Sequence, residues 1–340
     1  GQARSVGAAV RTARRPQAGY VLLMVLGVLT MMAFVVGRFA QRNDQLRRNA
    51  LELREYADGR AVASGALAAT LYWNATRPLT PSGHGDVHTQ LREDGRPYRT
   101  DLGAWVQVQD GRGLLSVNGV SGPVLQALLV QDGVSVLRAQ AMVDVLADYI
   151  DTDSLKHLNG AERSEYQALG LPGPRNDWLL SLRELETMPL WRDEPERLAR
   201  LSRALRPSLG NLFNPATAPP ATLRAMFPTA APIQLDQLVR LRAVDQLRDL
   251  RTVGELLGLR LDEDEYILSP GYDSRITLWA YGLPRALEYN VQLTPAGELG
   301  PWVITEQYST KRLNPSDEAP RAIAFPLALS AQRSEGRMGP

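Results

Sequence analysis

The 340-residue chain has no cysteine, which excludes disulfide bonds, thiol chemistry and cysteine-based metal sites. Histidine is also scarce, and only His84, His88 and His157 occur. His84 and His88 are four positions apart, a spacing that a zinc site can use, but their segment is polar and no third ligand is evident. We therefore expect both side chains to be solvated residues of a loop.

The chain also has no excess of charge of either sign, since 38 basic and 37 acidic residues give a net charge of +1 at pH 7. A global electrostatic attraction to nucleic acid is therefore not expected. The sequence has no nucleophile elbow, phosphate-binding loop or zinc-protease motif, so we expect no enzymatic activity. The residues beyond the first 40 are numerous enough for two compact units.

One long uncharged and mostly apolar run is present, from Tyr20 to Gly37. At about 1.5 Å per residue, a helix of this length just spans the hydrocarbon core of a bilayer. The segment before the run has no acidic residue and contains Arg4, Arg11, Arg14 and Arg15. Because basic residues beside a membrane span stay in the cytoplasm, we expect the bulk of the chain to face the other side.

Three kinds of N-terminal segment contain such a run. A cleaved signal peptide needs a short apolar core and a small-x-small site, and the Arg-Phe-Ala-Gln sequence at 38–41 is a poor site. A plain signal anchor fits the hydropathy. A type IV prepilin fits equally well, because a basic leader at 1–19 ends in Gly19 and Tyr20 opens an intact apolar helix. We expect one of the last two, and a prepilin would be cut between Gly19 and Tyr20.

The helical pattern continues beyond the apolar run as a stripe of small and apolar residues at spacings of three and four. We expect this stripe to pack on a soluble domain and the helix to end near Asn74, before Arg77 and Pro78. The stripe consists of Leu46, Ala50, Leu53, Ala57, Ala61, Ser64, Ala68 and Leu71.

The remaining pattern changes from strands to helices and back to strands. Residues 79–100 are typical of a loop, and the alternation at 104–109 predicts a strand that returns as a hairpin at 114–117. Helices are predicted at 123–130 and 136–150, followed by two capping boxes that begin at Ser181 and Thr252. Strands are predicted at 276–281, 286–293 and 302–308, and residues 313–340 are expected to be largely disordered.

This order predicts an α+β fold in which a helical domain is inserted into a domain of one long helix and an antiparallel sheet. The expected segments are a leader at 1–19, a membrane or filament-core helix at 20–39, a first α+β part at 40–120, an inserted helical domain at 121–265, C-terminal strands at 266–312 and a tail at 313–340.

Oxygen-bearing side chains are dense between two of the predicted helices, where Asp148, Asp151, Asp153, Asn159, Glu162 and Glu165 occur. Hard cations such as calcium take six to eight oxygen ligands. The spacing is not that of an EF-hand, because Leu155 and Lys156 stand where a donor and a glycine are needed. A calcium site at Asp151, Asp153, Asn159 and Glu162 is one interpretation, and helix capping with solvated charge is the other.

The chain resembles the K-type minor pseudopilins of the type II secretion system over most of its length, from Gly19 to about Lys311. Three stretches carry the resemblance: Gly-Tyr-Val-Leu-Leu-Met-Val-Leu at 19–26, Leu-Ala-Asp-Tyr-Ile-Asp-Thr-Asp at 146–153 with Asn-Gly-Ala-Glu at 159–162 and Glu-Tyr at 165–166, and Asn-Pro-Ala-Thr at 214–217. Ordinary pilins have a glutamate at the fifth position after cleavage, and this chain has Met24 there. A tip subunit has no neighbour above it whose terminal amine would neutralise that carboxylate, so an apolar residue suits the tip.

The resemblance implies a type IV pilin-like fold and a non-catalytic subunit that caps the tip of the pseudopilus. It implies one pass through the inner membrane, a cytoplasmic N-terminus and a periplasmic bulk. The implied partners are the I- and J-type minor pseudopilins, the major pseudopilin, the prepilin peptidase and the inner-membrane assembly platform. It also implies methylation of the new N-terminus and calcium in the periplasmic domain.

The two capping boxes leave a second hypothesis open, a membrane-anchored helix-hairpin-helix module that binds DNA in an uptake apparatus. Such modules present glycine-rich turns and basic residues to phosphates. Here the predicted hairpins are flanked by acidic residues at 193–196 and 262–265, which argues against DNA binding.

Overall fold

The computed structural model describes residues 18–86, 89–298, 300–310 and 322–327. The predicted leader before residue 18, His88 and most of the predicted tail lie outside the described residues. The chain divides into two compact units, Gly1–Glu55 and Tyr56–Pro340.

The element order confirms the predicted α+β fold: a long N-terminal helix, strands, a helical segment and further strands. The helices are α1 Ala18–Thr76, α2 Gly122–Gln131, α3 Val136–Ile150, α4 Arg163–Ala168, α5 Pro195–Leu201, α6 Pro220–Met226, α7 Pro232–Ala243 and α8 Leu250–Leu257. The strands are β1 Leu79–Thr80, β2 Gly83–Gly85, β3 Gln90–Arg92, β4 Asp94–Arg99, β5 Trp105–Asp110, β6 Leu115–Ser116, β7 Leu205–Arg206, β8 Asp273–Trp279, β9 Ala286–Leu293, β10 Trp302–Thr310 and β11 Ile323–Ala324.

The first unit contributes the N-terminal part of α1, and its side chains from Tyr20 to Glu55 are exposed. Within the described residues, α1 is the one helix that is long and apolar enough to cross a membrane, and its apolar window has no buried residue. A helix that exposes apolar side chains on every face requires an apolar environment, which is consistent with a single-pass membrane anchor.

In the second unit, the C-terminal part of α1 packs on a six-stranded sheet with the order β10-β9-β8-β5-β4-β11. Neighbouring strands are antiparallel, except that β11 is parallel to β4. The shared core contains Ala63, Ala66 and Trp73 from the helix and residues such as Val106 and Ile276 from the sheet.

The predicted packing stripe on α1 is wrong for most of its members in this unit, because Ala57, Ala61, Ser64 and Ala68 are exposed. The buried face is instead made by Gly59, Ala63, Ala66, Thr70 and Trp73, which follow the same spacing two positions later. Small residues occur on several faces of this helix, so their period alone does not identify the packed face. A Cβ at residue 59 would lie 2.4 Å from the Tyr281 carbonyl oxygen, so close packing requires the glycine there.

The predicted loop at 79–100 is also wrong, because it contains β1 to β4. The strands β1, β2 and β3 form a separate antiparallel sheet, and β4 pairs with β5. His84 lies in β2 and is buried, with Nδ1 2.6 Å from Glu93 Oε1. The expectation of a solvated His84 is therefore wrong. These strands contain glycine, proline and charged residues, which have low strand propensity, so their composition favours a loop.

The helical segment at 111–272 is inserted between β5 and β8, which are neighbours in the sheet. It has its own core, which includes Tyr166, Trp191 and Phe227. The predicted hairpin return at 114–117 is wrong, because Leu115–Ser116 pairs in parallel with Leu205–Arg206. A 3-10 turn at Gly111–Gly113 directs the chain away from β5. This inserted block, residues 111–272, is longer at both ends than the helical domain predicted at 121–265.

Other predicted elements are confirmed, including α3 and β9 with the predicted bounds. The first capping box is confirmed, since Ser181 and Glu184 cap a 3-10 helix at Leu182–Thr187. The second is wrong: Asp249 is the N-cap of α8 and accepts from Thr252 N at 2.7 Å. The helix-hairpin-helix hypothesis therefore loses one of the two capping boxes on which it rests.

The inserted block lies against the sheet face opposite α1. Arg275 alternates with the core residue Ile276 and donates to the carbonyl oxygens of Ser202 at 2.6 Å and Leu205 at 2.7 Å. The described part of the predicted tail adds β11 to the free side of β4. There Phe325 is buried and packs edge-on against Tyr98.

Candidate functional site

The carboxylates of the candidate site lie at the C-terminal end of α3. Ser135 caps the helix by accepting from Arg138 N at 3.4 Å. Asp144 and Asp148 are four residues apart, so they lie on one face, and both are buried. Asp151 is the C-cap residue, after which the chain leaves the helix as an extended loop.

The loop that follows α3 returns to the same helical face and is held there by the two carboxylates. Asp148 Oδ1 accepts from His157 N at 3.0 Å and also contacts the His157 ring nitrogen Nδ1. Asp144 Oδ2 accepts from Asn159 N at 3.2 Å and from Asn159 Nδ2 at 3.0 Å. The bond from Asp148 raises the pKa of His157.

Gly160 makes the closest approach of the loop to the helix. A Cβ at this position would lie 1.9 Å from Asp148 Oδ2 and 2.6 Å from its Cγ. Any side chain here would displace the carboxylate, so the glycine of the Asn-Gly-Ala-Glu stretch has a steric explanation.

Three carboxylate oxygens at this site are buried and have no hydrogen-bond partner among the described residues: Asp148 Oδ2, Asp151 Oδ1 and Glu162 Oε1. One ligand atom each from Asp148, Asp151 and His157 lie within 4.8 Å of one another. Burial, with the nearby Asp153 and Asp148 charges, raises the pKa of Asp151. Burial, with the Asp148 and Asp151 charges, raises the pKa of Glu162. The site therefore concentrates negative charge, and the contact of Asp148 with His157 offsets only part of it.

The structure places the four predicted ligands in two groups. Asp151 and Glu162 belong to the set with free buried oxygens. Asp153 is exposed and accepts from Leu155 N at 2.7 Å, and the Asn159 amide is bound to Asp144. Asp148 belongs to the site but was not among the four, because an acidic residue inside a helix looks like ordinary surface charge in the sequence.

Glu165 has a different role from its acidic neighbours. It accepts from Glu162 N at 3.0 Å in the capping box of α4, and it pairs with Lys156 at 2.8 Å. The hydrogen bond from Lys156 lowers the pKa of Glu165 to about 2. Helix capping therefore accounts for Glu165, and it does not account for the free oxygens of Asp148, Asp151 and Glu162.

The donor set fits a hard cation. Carboxylate oxygens are the ligands that calcium prefers, and a bound cation would compensate the mutual repulsion of Asp148, Asp151 and Glu162. His157 Nδ1 contacts Asp148, and the three buried ligand atoms without a partner are all oxygens. A cation held by these oxygens would fix the loop against α3.

A second buried acidic group lies where the inserted block meets the sheet. Asp110, at the end of β5, accepts through Oδ1 from Arg112 N at 3.0 Å and Gly271 N at 2.9 Å. Its Oδ2 accepts from Asn214 Nδ2 at 3.0 Å and Thr217 Oγ1 at 2.7 Å. Burial, with the nearby Glu93, raises the pKa of Asp110 to about 6. Asp110 thus joins both ends of the insertion to the Asn-Pro-Ala-Thr stretch.

The predicted processing residues Gly19 and Tyr20 lie in the first turn of α1, and Met24 follows one turn later. Tyr20 and Met24 are exposed, as are the other described apolar residues of this part of the helix.

One region of the chain matches a known protein family. Residues 100–205 match a family model described as protein K of the type II secretion system (T2SS). The match contains α3, the loop after it and the free oxygens of the candidate site. It confirms the resemblance to that family predicted from the sequence.

A solved structure is similar over a larger part of the chain. It is a chain of the crystal structure of the GspK–GspI–GspJ complex from the type 2 secretion system of enterotoxigenic Escherichia coli. The similarity has 17% sequence identity and a TM-score of 0.49, and it covers 79% of this chain and 99% of that chain. No curated protein matches the chain in sequence.

Proposed function

We propose that this chain, which carries the protein K region of the type II secretion system at residues 100–205, is the minor pseudopilin that caps the tip of the pseudopilus. In this role it helps to initiate assembly of the pseudopilus for the export of folded periplasmic proteins. The observation that carries the proposal is the inserted block, residues 111–272, which occupies a single connection between adjacent strands and lies on one face of the sheet.

The size of the inserted block favours a terminal position. Subunits of a helical filament pack around a core of helices that are each about 10 Å wide. A block of this size on every subunit would collide with the neighbours in the shaft. At the tip there is no neighbour above, so the block has room. Met24 supports the same position, because an apolar residue needs no amine from a subunit above.

The N-terminal part of the proposal concerns processing. The apolar helix with exposed side chains would anchor the chain in the inner membrane. By the family resemblance, the bulk of the chain would lie in the periplasm. Prepilin peptidase would cut between Gly19 and Tyr20, and the new amine would be methylated. N-terminal sequencing and intact mass of the membrane-bound protein are expected to give a chain that begins at methylated Tyr20. A mature chain that keeps Arg14 and Arg15 would contradict processing and leave a plain anchor.

The candidate site would hold calcium through Asp148, Asp151 and Glu162 and so fix the loop after α3. Three buried oxygens without partners support this part of the proposal. Thermal unfolding with calcium and with a chelator is the measurement that tests it.

The expected partners follow from the family resemblance. They are the I- and J-type minor pseudopilins, with which the chain would form the tip, and the major pseudopilin below them. The prepilin peptidase and the inner-membrane assembly platform would act on the chain before and during assembly. No observation favours the DNA-uptake alternative, since one of the two capping boxes behind it is wrong.

Complex formation tests the proposed function. A soluble fragment that begins at residue 40 is mixed with the corresponding fragments of the I- and J-type pseudopilins from the same organism, and molar mass is measured by light scattering after gel filtration. We expect one discrete heterocomplex and no homopolymer, because association at a tip has only one side. Open-ended homopolymers, or no complex with either partner at micromolar concentration, would contradict the proposal.

A further inference from the structure

We propose that Arg38, Arg42, Arg47 and Arg48 form an arginine belt that binds the phosphate groups of anionic phospholipids at the membrane surface. This inference rests on the proposed function in one respect, namely that the run from Tyr20 to Gly37 spans a membrane. It names anionic phospholipids as the lipids that surround the end of the span, and it assigns the four arginines as the site that binds them.

The four arginines are available for a ligand. All are exposed, and within the described residues none of their side chains has a hydrogen bond or an ion pair. The guanidinium of Arg38 lies 5.3 Å from the centre of the Phe34 ring, its one recorded contact. Residues 38–48 contain a single acidic residue, Asp44, so the belt is strongly positive.

The height of the belt matches the headgroup layer. At about 1.5 Å per residue, Arg38 and Arg42 begin roughly 2 Å and 8 Å beyond Gly37, and Arg47 and Arg48 about 15–17 Å beyond it. The headgroup layer extends about 5–8 Å from the hydrocarbon core. Side chains on a helix tilt toward its N-terminus, which here means toward the membrane.

The Arg38 side chain has this tilt, because its guanidinium lies over the ring of Phe34, one turn nearer the N-terminus. The same tilt brings Arg47 and Arg48 to roughly 10 Å from the core, within about one Debye length of the phosphates.

The distribution of the belt around the helix identifies lipid rather than protein as the ligand. At about 100° per residue, Arg42 is roughly 40° from Arg38, Arg47 is about 180° away, and Arg48 is about 280° away. A protein partner would contact one face of the helix and leave the opposite arginines in solvent. Headgroups surround a membrane helix on all sides, so they attract every member of the belt whatever its direction around the helix.

The belt would also delay the exit of the processed chain from the membrane. Removal of residues 1–19 takes away Arg4, Arg11, Arg14 and Arg15, so the belt becomes the basic group beside the span. Its phosphate contacts would retain the processed subunit at the membrane, and entry into a filament would have to break them.

Lipid selection by the full-length chain tests the belt. The chain is reconstituted into nanodiscs that contain equal amounts of phosphatidylglycerol and phosphatidylcholine with identical acyl chains. After transfer to detergent, native mass spectrometry counts the lipids that remain bound. Each juxtamembrane arginine favours an anionic surface by about fivefold. We therefore expect the chain to retain about five times as much phosphatidylglycerol as phosphatidylcholine, or more.

The variant carries Arg38→Gln, Arg42→Gln, Arg47→Gln and Arg48→Gln, and it should lose the preference. The matched control removes the same charge from four exposed arginines of the second unit, Arg183, Arg203, Arg240 and Arg248, and should keep it. A measurement without variants raises NaCl to 1 M, where the Debye length of about 3 Å should abolish the preference.

The outcomes separate this inference from the proposed function. Incorporation into nanodiscs with equal retention of the two lipids, or loss of the preference in the control as well, would overturn the belt alone. Failure of the wild-type chain to incorporate would overturn the membrane span, and with it both the belt and the anchoring part of the proposed function.

Discussion

Asp110→Asn is expected to lower the free energy of unfolding of the second unit by about 3 kcal/mol. The carboxylate accepts from four donors at 2.7–3.0 Å, two at each oxygen. An amide has one oxygen, so its NH2 group must face two of these donors and leave them without an acceptor. Each buried donor left unsatisfied costs about 1–3 kcal/mol. Urea unfolding measured by tryptophan fluorescence gives the change.

The pH dependence gives a second readout of the same residue. The pKa of Asp110 is about 6 in the folded chain and 3.8 for the free group, so the folded state binds a proton more tightly. The part of the stability that depends on protonation of this carboxyl is therefore full below about pH 4 and is lost as the pH rises through 6. The Asn variant cannot titrate here and should lack this slope.

Asp177→Asn is the control for Asp110→Asn. Asp177 is exposed and accepts only from the neighbouring Trp178 N, so its replacement should change stability by less than about 0.5 kcal/mol. If Asp110→Asn unfolds at the wild-type urea midpoint, Asp110 does not hold the inserted block to the sheet.

Calcium is expected to raise the unfolding temperature of the chain by several degrees, and Gly160→Ala is expected to abolish the gain. Ligand at a hundred times its Kd stabilises the folded state by about 2.7 kcal/mol, and each kcal/mol shifts the temperature by about 2–4 °C in a chain of this size class. The Cβ of alanine would lie 1.9 Å from Asp148 Oδ2, so the carboxylate must move out of the site. Scanning calorimetry with calcium and with a chelator measures both effects.

Gly173→Ala is the matched control, since a Cβ there would meet only Arg163 Cγ at 3.9 Å, an ordinary contact. This variant should keep the calcium response. It separates the clash at Gly160 from the general effect of replacing a loop glycine by alanine.

Asp151→Asn distinguishes a cation site from helix capping. The raised pKa of Asp151 means that its charge is unfavourable in the folded chain without a cation. By the same linkage, the stability of the calcium-free site should fall as the pH rises through the raised pKa of Asp151. Without calcium, the Asn variant should therefore be as stable as the wild type or more stable. With calcium it should lose the gain, and a wild-type curve that calcium leaves unchanged would refute the site.

The parts of the fold that the sequence predicts are those with strong periodicity. The stripe on α3 has an apolar face that only a helix can bury, and the bounds of this helix are as predicted. The alternation in β9 likewise gives its bounds. In both cases local pattern and tertiary packing favour the same structure.

The errors occur where tertiary contacts decide between equivalent local patterns. Small residues on several faces of α1 leave its packed side undetermined, and the approach of the Tyr281 carbonyl at Gly59 selects one face. The segment at 79–100 is rich in glycine and charged residues, so strand propensity does not predict its strands. His84 is buried because Glu93, nine residues later, pairs with it. The candidate site is marked in the sequence by its density of acids, but the position of Asp148 in it depends on how the following loop returns to the helix.

The position of the chain in an assembled pseudopilus tests the central claim most directly. Pseudopili are assembled in a strain that makes this chain, sheared from the cells, and labelled with gold-conjugated antibody against residues 111–272. The account predicts gold at one end of each filament and none along the shaft. Gold distributed along the shaft, or at both ends, or absent from filaments while the chain is present in the membrane, would contradict it.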